Sequence, residues 1–148
     1  MHGLSTACNC SALREATRRL TQFYDQSLAR AGLRTTQYAV LARLACLGPM
    51  TIARLAEEMV VDRTTLGRNI LPLERDGLIS IVAGKHDRRR RELALTKAGL
   101  HRLRNAEALW AQAQQRFEAL YGPDRSRQLR QLAGAVVAAL PAGQSPDR

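Results

Sequence analysis

Apolar residues recur at spacings of three and four along most of this chain and switch to alternation in one place. From Leu13 the stripe runs Leu13, Ala16, Leu20, Phe23/Tyr24, Leu28 and Ala31, which predicts an amphipathic helix ending before Gly32. Thr35 or Thr36 is suited to cap the next helix, whose buried face would be Ala39, Val40, Leu41, Leu44 and Leu47. After Gly48-Pro49, Thr51 caps a short helix, Ile52–Met59, carrying Ile52, Leu55, Ala56 and Met59. A tight turn closes on Asp62, and a further helix over Arg63–Asp76 stops at Gly77. There the period changes. Leu78–Val82 and Glu92–Leu95 are short strand-like runs, so they pair as a hairpin with the basic segment Lys85–Arg91 at its tip. Thr96 starts a long helix to about Tyr121, with Leu103, Ala106, Trp110, Ala113, Phe117 and Leu120 on one stripe. Asp124 opens a last helix bearing Leu129, Leu132, Ala133, Val136, Val137 and Leu140, and a polar tail expected to fray begins at Pro141.

The predicted class is mainly α with a small β-hairpin. The order helix, turn, helix, basic hairpin is what a winged helix-turn-helix needs to set one element in a major groove and another beside it. In Arg63–Asp76 the inward positions Leu66, Ile70 and Leu73 leave Arg63, Thr64, Thr65, Arg68 and Asn69 outward in the first turns. Each can donate or accept at a base edge or phosphate, and none is acidic. Arg68 and Asn69 are the base-reading candidates; Arg63, Thr64 and Thr65 are shared between phosphate and base. Asp62 reads as an N-cap rather than a DNA contact. Pro72 removes one helical hydrogen bond, so a kink or break is expected there.

The tip carries Lys85, Arg88, Arg89, Arg90 and Arg91. A strand alternates faces, so these cannot all point one way. Arg89, near the apex, is expected in a minor groove, with Asp87 paired to a neighbouring arginine and stiffening the turn. A merely solvated turn is the plainer alternative. Composition bears on this choice. The chain has 148 residues, with 23 Lys plus Arg against 13 Asp plus Glu, a net charge of +10. Such a charge promotes association with polyanions, and its clustering at the hairpin favours duplex DNA over a general solubilising surface.

The length suits a single domain, 1–148, divided into a winged region over 33–99 and helical dimerisation segments over 8–31 and 97–140. A small winged region cannot by itself cover a long helix and helices at both termini. Their stripes at heptad-like spacing therefore predict a homodimer, through Leu13, Leu20, Trp110, Phe117, Leu129, Leu132, Val136 and Leu140. No apolar run reaches a membrane span. Met1 to Asn9 lack a basic start and an apolar stretch, so no secretory signal is expected. Three cysteines make no closed disulfide framework, and a cytoplasmic location is expected. No paired carboxylates, His-rich metal motif or phosphate-cradling glycine loop suggests an enzyme or a cofactor.

Several of these segments resemble the MarR (multiple antibiotic resistance regulator) family, over about Leu13 to Leu140. Asp87-Arg88-Arg89 followed by Leu95-Thr96-Lys97-Ala98-Gly99 is similar to that family's wing signature. Leu73-Glu74-Arg75-Asp76-Gly77-Leu78-Ile79 resembles its exit from the recognition helix, and Gly32-Leu33-x-x-Thr36-Gln37-Tyr38 its approach to the second helix. The resemblance implies a homodimeric, usually repressing transcription factor on a pseudo-palindromic operator. It also implies release by a small effector, commonly an aromatic acid or phenol, bound where the dimer helices meet the winged region. Arg14, Arg18, Tyr24, Tyr38 and Arg43 fall near that place; Tyr24 and Tyr38, taken singly, read more readily as core tyrosines with satisfied hydroxyls.

Two other functions stay open. Cys10, near a helix N-terminus where thiolates are stabilised, lies where the family's organic-peroxide-sensing branch has its sensing cysteine, 14 residues before Tyr24. Further tyrosines of that branch are replaced here by Arg14 and Thr35. Cys8, Cys10 and His2 are a weak soft-metal set, and no metal is expected; Cys46 reads as core. The last alternative is an architectural DNA-binding protein without an effector.

Overall fold

A computed structural model describes residues 8–141; His2 and the tail beyond Pro141 lie outside the described residues. The chain divides into two compact units, one ending at Trp110 and the other starting at Ala111. Among the described residues no helix is long and apolar enough to cross a membrane.

The first unit opens with helix α1 (Asn9–Leu28) and a single 3-10 turn (Ala29–Ala31). Gly32, at φ 68°, provides the left-handed residue that ends it. Helix α2 (Thr35–Leu47) follows, and its start differs from the sequence expectation. Thr35 is the first helical residue rather than the cap. Its N–H and hydroxyl both donate to Asp25 Oδ1, at 2.7 and 2.6 Å, while the Gln37 side chain accepts from Arg34 N–H at 2.9 Å. A carboxylate from α1 thus takes the place of a local hydroxyl cap.

Helix α3 (Ile52–Met59) is capped by Thr51, which accepts from Arg54 N–H at 3.3 Å, as its sequence predicts. Helix α4 (Arg63–Arg75) follows after a turn of three residues, Val60, Val61 and Asp62. Of the kink or break expected at Pro72, the break does not occur, and α4 runs through it. Ile70 and Leu73, both buried, hold the chain on either side, and Asp76 N–H donates to Pro72 O at 2.9 Å. The carbonyl that loses its partner belongs to Arg68, an exposed residue where water can take the acceptor.

Strands β1 (Ile79–Ala83) and β2 (Arg91–Leu95) pair antiparallel in the register Ile79↔Leu95 to Ala83↔Arg91. Met50, between α2 and α3, bridges to Leu93 on β2 through two backbone hydrogen bonds of 3.2 and 2.8 Å, tying the hairpin base to the helices. Helix α5 (Lys97–Tyr121) begins where Thr96 Oγ1 accepts from Gly99 N–H at 3.0 Å and lies 2.7 Å from Gly77 O. A side chain at Gly99 would collide with the Leu78 carbonyl, so glycine is needed for this crossing.

One core joins these elements, with Leu28, Val40, Leu41, Leu55, Leu66, Leu73 and Ile79 almost fully enclosed and Leu103 and Ala106 added by α5. Two residues read as buried on α2 are not. Leu47 is 48% exposed and Cys46 is exposed, because Val40, Leu41 and Leu44 face the core and the chain leaves the helix at Gly48.

The second unit comprises the end of α5 and helix α6 (Pro123–Ala139), which starts one residue before the predicted Asp124 with proline in the first turn. Ser126 is buried, its hydroxyl donating to Gly122 O at 2.8 Å. Arg130 Nη1 reaches Glu118 Oε1 at 3.3 Å, and Phe117 stacks on Tyr121 with centroids 5.4 Å apart. Most of α6 is left uncovered: Leu132, Val136 and Val137 are all exposed, as are Leu140 just after it and Leu120 at the end of α5.

Candidate nucleic-acid interface

Helix α4 presents its polar face because its apolar face is firmly held. Leu66, Ile70 and Leu73, at spacings of four and three, are 0, 4 and 1% exposed. That anchoring turns Arg63, Thr64 and Arg68 to solvent, and none of their three side chains has a hydrogen-bond or ion-pair partner among the described residues. Asp62 caps the helix, accepting from Thr65 N–H at 2.8 Å and from the Thr65 hydroxyl at 2.6 Å. Those two bonds, the hydroxyl first, hold the Asp62 carboxyl below its ordinary range. The cap therefore weakens as pH falls through that lowered value, when the carboxylate takes a proton.

Two of the five predicted reading residues are partly engaged within the chain. The Thr65 hydroxyl hydrogen is committed to Asp62, so this side chain can offer a duplex only its acceptor lone pairs. Asn69 is half-buried, and its amide oxygen accepts from Thr36 Oγ1 on α2 at 3.5 Å, leaving the NH2 group as its outward chemistry. Leu71 is 64% exposed on the same helix, a feature its inward neighbours Ile70 and Leu73 imply by spacing.

The turn before α4 contains a strained residue. Val60 has φ 54° and ψ 47°, the one non-glycine residue with positive φ among those described, and is 71% exposed. Val61 packs against the core beside it.

The hairpin tip is a closed turn rather than a loose loop. Gly84 N–H donates to Arg90 O at 2.7 Å, Arg90 N–H to Asp87 O at 3.0 Å, and Arg89 N–H to Asp87 Oδ1 at 3.0 Å. A Cβ on Gly84 would stand 2.6 Å from Asp87 O, so the turn requires glycine. Asp87 pairs with a neighbour as expected, and the neighbour is Arg90, at 3.7 Å. Lys85, Arg88, Arg89 and Arg91 are exposed and form no ion pair among the described residues.

The five candidate effector residues are scattered by comparison. Arg14, Arg18 and Arg43 are exposed; Tyr24 is half-buried against Phe23, with centroids 5.7 Å apart. Tyr38 stacks on Trp110 at 6.0 Å, and burial, with a smaller contribution from Glu107, raises its phenol above the usual value. Of the five, Arg18 alone lines the shallow depression recorded along α1, with Ala12, Glu15, Ala16, Arg19 and Gln22. Cys8 and Cys10 are exposed at the start of α1, and no cluster of three or more metal-ligating side chains occurs among the described residues.

A capped, core-anchored second helix, a tight turn before it and an arginine-tipped hairpin after it define a winged helix-turn-helix, a DNA-binding class. Residues 33–90 match the model of the MarR family. A crystal structure of the M. tuberculosis transcriptional regulator MosR in complex with DNA is 36% identical, covers 90% of this chain and 99% of its own, and superposes with a TM-score of 0.75. The Streptomyces coelicolor regulator PcaV, solved in complex with its natural ligand, is 25% identical with a TM-score of 0.78, over 90% of this chain and 94% of its own. The transcriptional activatory protein BadR of Rhodopseudomonas palustris is 36% identical over 95 residues, 62% of this chain; the match spans about half of BadR's length, 50%. This chain belongs to the MarR family and is a DNA-binding transcriptional regulator, not an enzyme.

Proposed function

We propose that the protein acts as a homodimer whose two α4 helices enter successive major grooves of a pseudo-palindromic operator. Half-sites one helical turn apart, ~34 Å, would match the two-fold symmetry. In this reading residues 33–99 carry the DNA contacts, and residues 8–31 with 97–140 make the dimer. Arg68 and the Asn69 NH2 group read bases; Arg63, Thr64 and Thr65 divide between bases and phosphates; Lys85 and Arg88–Arg91 flank the duplex, with Arg89 in the minor groove. The observation that carries it is the exposed, unpaired set Arg63, Thr64 and Arg68 on a helix whose opposite face is locked in the core. The MosR relative, solved in complex with DNA, supports duplex DNA as the partner.

Dimerisation is supported by the apolar side chains left open on α6 and the end of α5, together with Leu13, Leu20 and Trp110 on the first unit. We further infer that a small aromatic acid or phenol, held by some of Arg14, Arg18, Tyr24, Tyr38 and Arg43, releases the operator. The PcaV relative, solved in complex with its natural ligand, supports control by a bound ligand. Such an effector must bind better to a geometry in which the paired helices no longer fit their half-sites. Repression follows from a dimer occluding a promoter; a BadR-like activator would instead leave its target genes silent when deleted.

Selection from a random duplex pool followed by competition binding tests this function. A selected site should outcompete random DNA, and Arg68→Ala should cost about 1–3 kcal/mol and relax preference at one base pair per half-site. Equal affinity for selected and random duplexes would leave an architectural binder. Quenching of Trp110, the single tryptophan, reports effector binding at its stacked partner Tyr38. The exposure of Cys8 and Cys10 favours a second reading, peroxide sensing through Cys10. It requires peroxide to release the operator and Cys10→Ser to abolish that release.

A further inference from the structure

Helix α4 contains a glycine that nothing inside the protein requires. Gly67 lies five residues into the helix, without the left-handed backbone seen at Gly32, Gly48, Gly77 and Gly122. A Cβ built on it meets no heavy atom within 4 Å, so no close packing excludes a side chain. Glycine in a helix interior is worth about 1 kcal/mol less than alanine. Conformation does not repay that cost, and neither does packing. What remains is something that approaches the helix from outside.

Its position says what that is. Gly67 follows Thr64 by three residues and precedes Leu71 by four, so with Arg68 these residues share one helical surface. Thr64 and Arg68 are exposed, and Leu71 is 64% exposed on a helix that buries Ile70 and Leu73. The surface therefore has polar groups, a bare notch at the Cα of Gly67, and an aliphatic wall at Leu71. A major groove offers one apolar group of matching size, the C5-methyl of thymine.

We propose that Gly67 and Leu71 form a specificity site for a T·A pair, with the thymine methyl seated in the notch over Gly67 and against the Leu71 side chain. The proposal rests on α4 being the groove-entering helix. It adds an apolar contact to the hydrogen-bonding residues of that reading, at a place where any larger side chain would hold the base away.

The test uses the full-length protein and a duplex selected by it from a random pool. Binding of wild type, Gly67→Ala, Leu71→Ala and Arg68→Ala is measured by anisotropy, on that duplex and on versions with each thymine in turn replaced by deoxyuridine, which lacks the methyl. Gly67→Ala should melt at a higher temperature than wild type yet bind about tenfold more weakly, the size of one lost base contact. Wild type should lose affinity about threefold or more at one deoxyuridine position per half-site, and Leu71→Ala should be insensitive to that exchange. Gly67→Ala binding within twofold of wild type overturns the proposal, as does a lowered melting temperature. No effect at any deoxyuridine position overturns the thymine assignment. Should Arg68→Ala weaken binding while Gly67→Ala does not, only the notch is wrong; should neither matter, the assignment of α4 falls with it.

Discussion

Helices α4 and α6 carry the same kind of pattern and meet opposite fates. Leu66, Ile70 and Leu73 of α4 step by four and three and are 0, 4 and 1% exposed. Leu132 and Val136 of α6 step by four and are 68 and 40% exposed, and Leu140, which follows the helix, is 64% exposed. Aliphatic periodicity therefore establishes that a helix has an apolar face, and says nothing about which chain covers it. On α4 the face is filled by the protein's own core, which leaves the opposite, polar face exposed. On α6 the apolar face itself is the free surface.

The sharpest way to break this contrast is to remove one apolar side chain from each helix. Leu66→Ala should destabilise the fold by about 2–5 kcal/mol, since the residue is fully enclosed and the core has little room to collapse around the void. Urea unfolding measures it, and a cost below about 1 kcal/mol would mean that α4 is not anchored as described. On α6, replacing Leu132 and Val136 together by Asp should leave the chain folded but weaken self-association by about 2–4 kcal/mol, the range of hot-spot side chains. Sedimentation equilibrium reads this directly. A doubly substituted protein that sediments like wild type would place the dimer contact elsewhere.

The same contrast explains how much of the molecule could be read from the chain. The α4 cap at Asp62, the α3 cap at Thr51 and the hairpin around Asp87 are local: donor and acceptor lie within a few residues, so sequence spacing suffices. What escaped was set by distant partners. Thr35 is not a cap because Asp25, ten residues earlier, takes both its donors. Cys46 is exposed because the core engages only Val40, Leu41 and Leu44 on its helix. Asn69 is half committed because Thr36, from another helix, reaches its amide oxygen. Pro72 breaks nothing because buried neighbours hold the helix on both sides. For the site, the exposure of Arg63, Thr64 and Arg68 on α4 was legible from the inward spacing. The effector candidates rested on resemblance, and of the five only Arg18 lines the depression along α1.

A smaller effect separates exposure that serves an interface from exposure that is merely tolerated. Val60 is as exposed as Leu132 but stands alone in a turn, and its left-handed backbone costs a β-branched residue roughly 1–2 kcal/mol. Val60→Asn, with a side chain that accepts this conformation, should stabilise the fold by about 1 kcal/mol in urea unfolding. It should leave self-association unchanged, unlike the α6 substitutions. A loss of stability would show that the valine side chain is held by something within the fold.

The weakest effect belongs to the wing, where free surface is charged instead of apolar. Arg89 and Arg90 are neighbours on one turn, yet the Arg90 guanidinium pairs with Asp87 at 3.7 Å while Arg89 uses only its backbone N–H on that carboxylate. Arg89 is therefore the better phosphate-neutralising side chain of the two, and each phosphate contact contributes about 0.9 to the slope of log K against log salt. Arg89→Ala should lower that slope by about one and weaken binding to selected and random duplexes alike. Between 50 and 200 mM salt, the variant should lose about threefold less affinity than wild type does. Arg90→Ala should change the slope less, because its charge is already half spent on Asp87, and so the two substitutions compare a free cation with a paired one on the same turn. Equal slopes for both would show that the ion pair opens on the duplex and that the wing presents all its arginines at once.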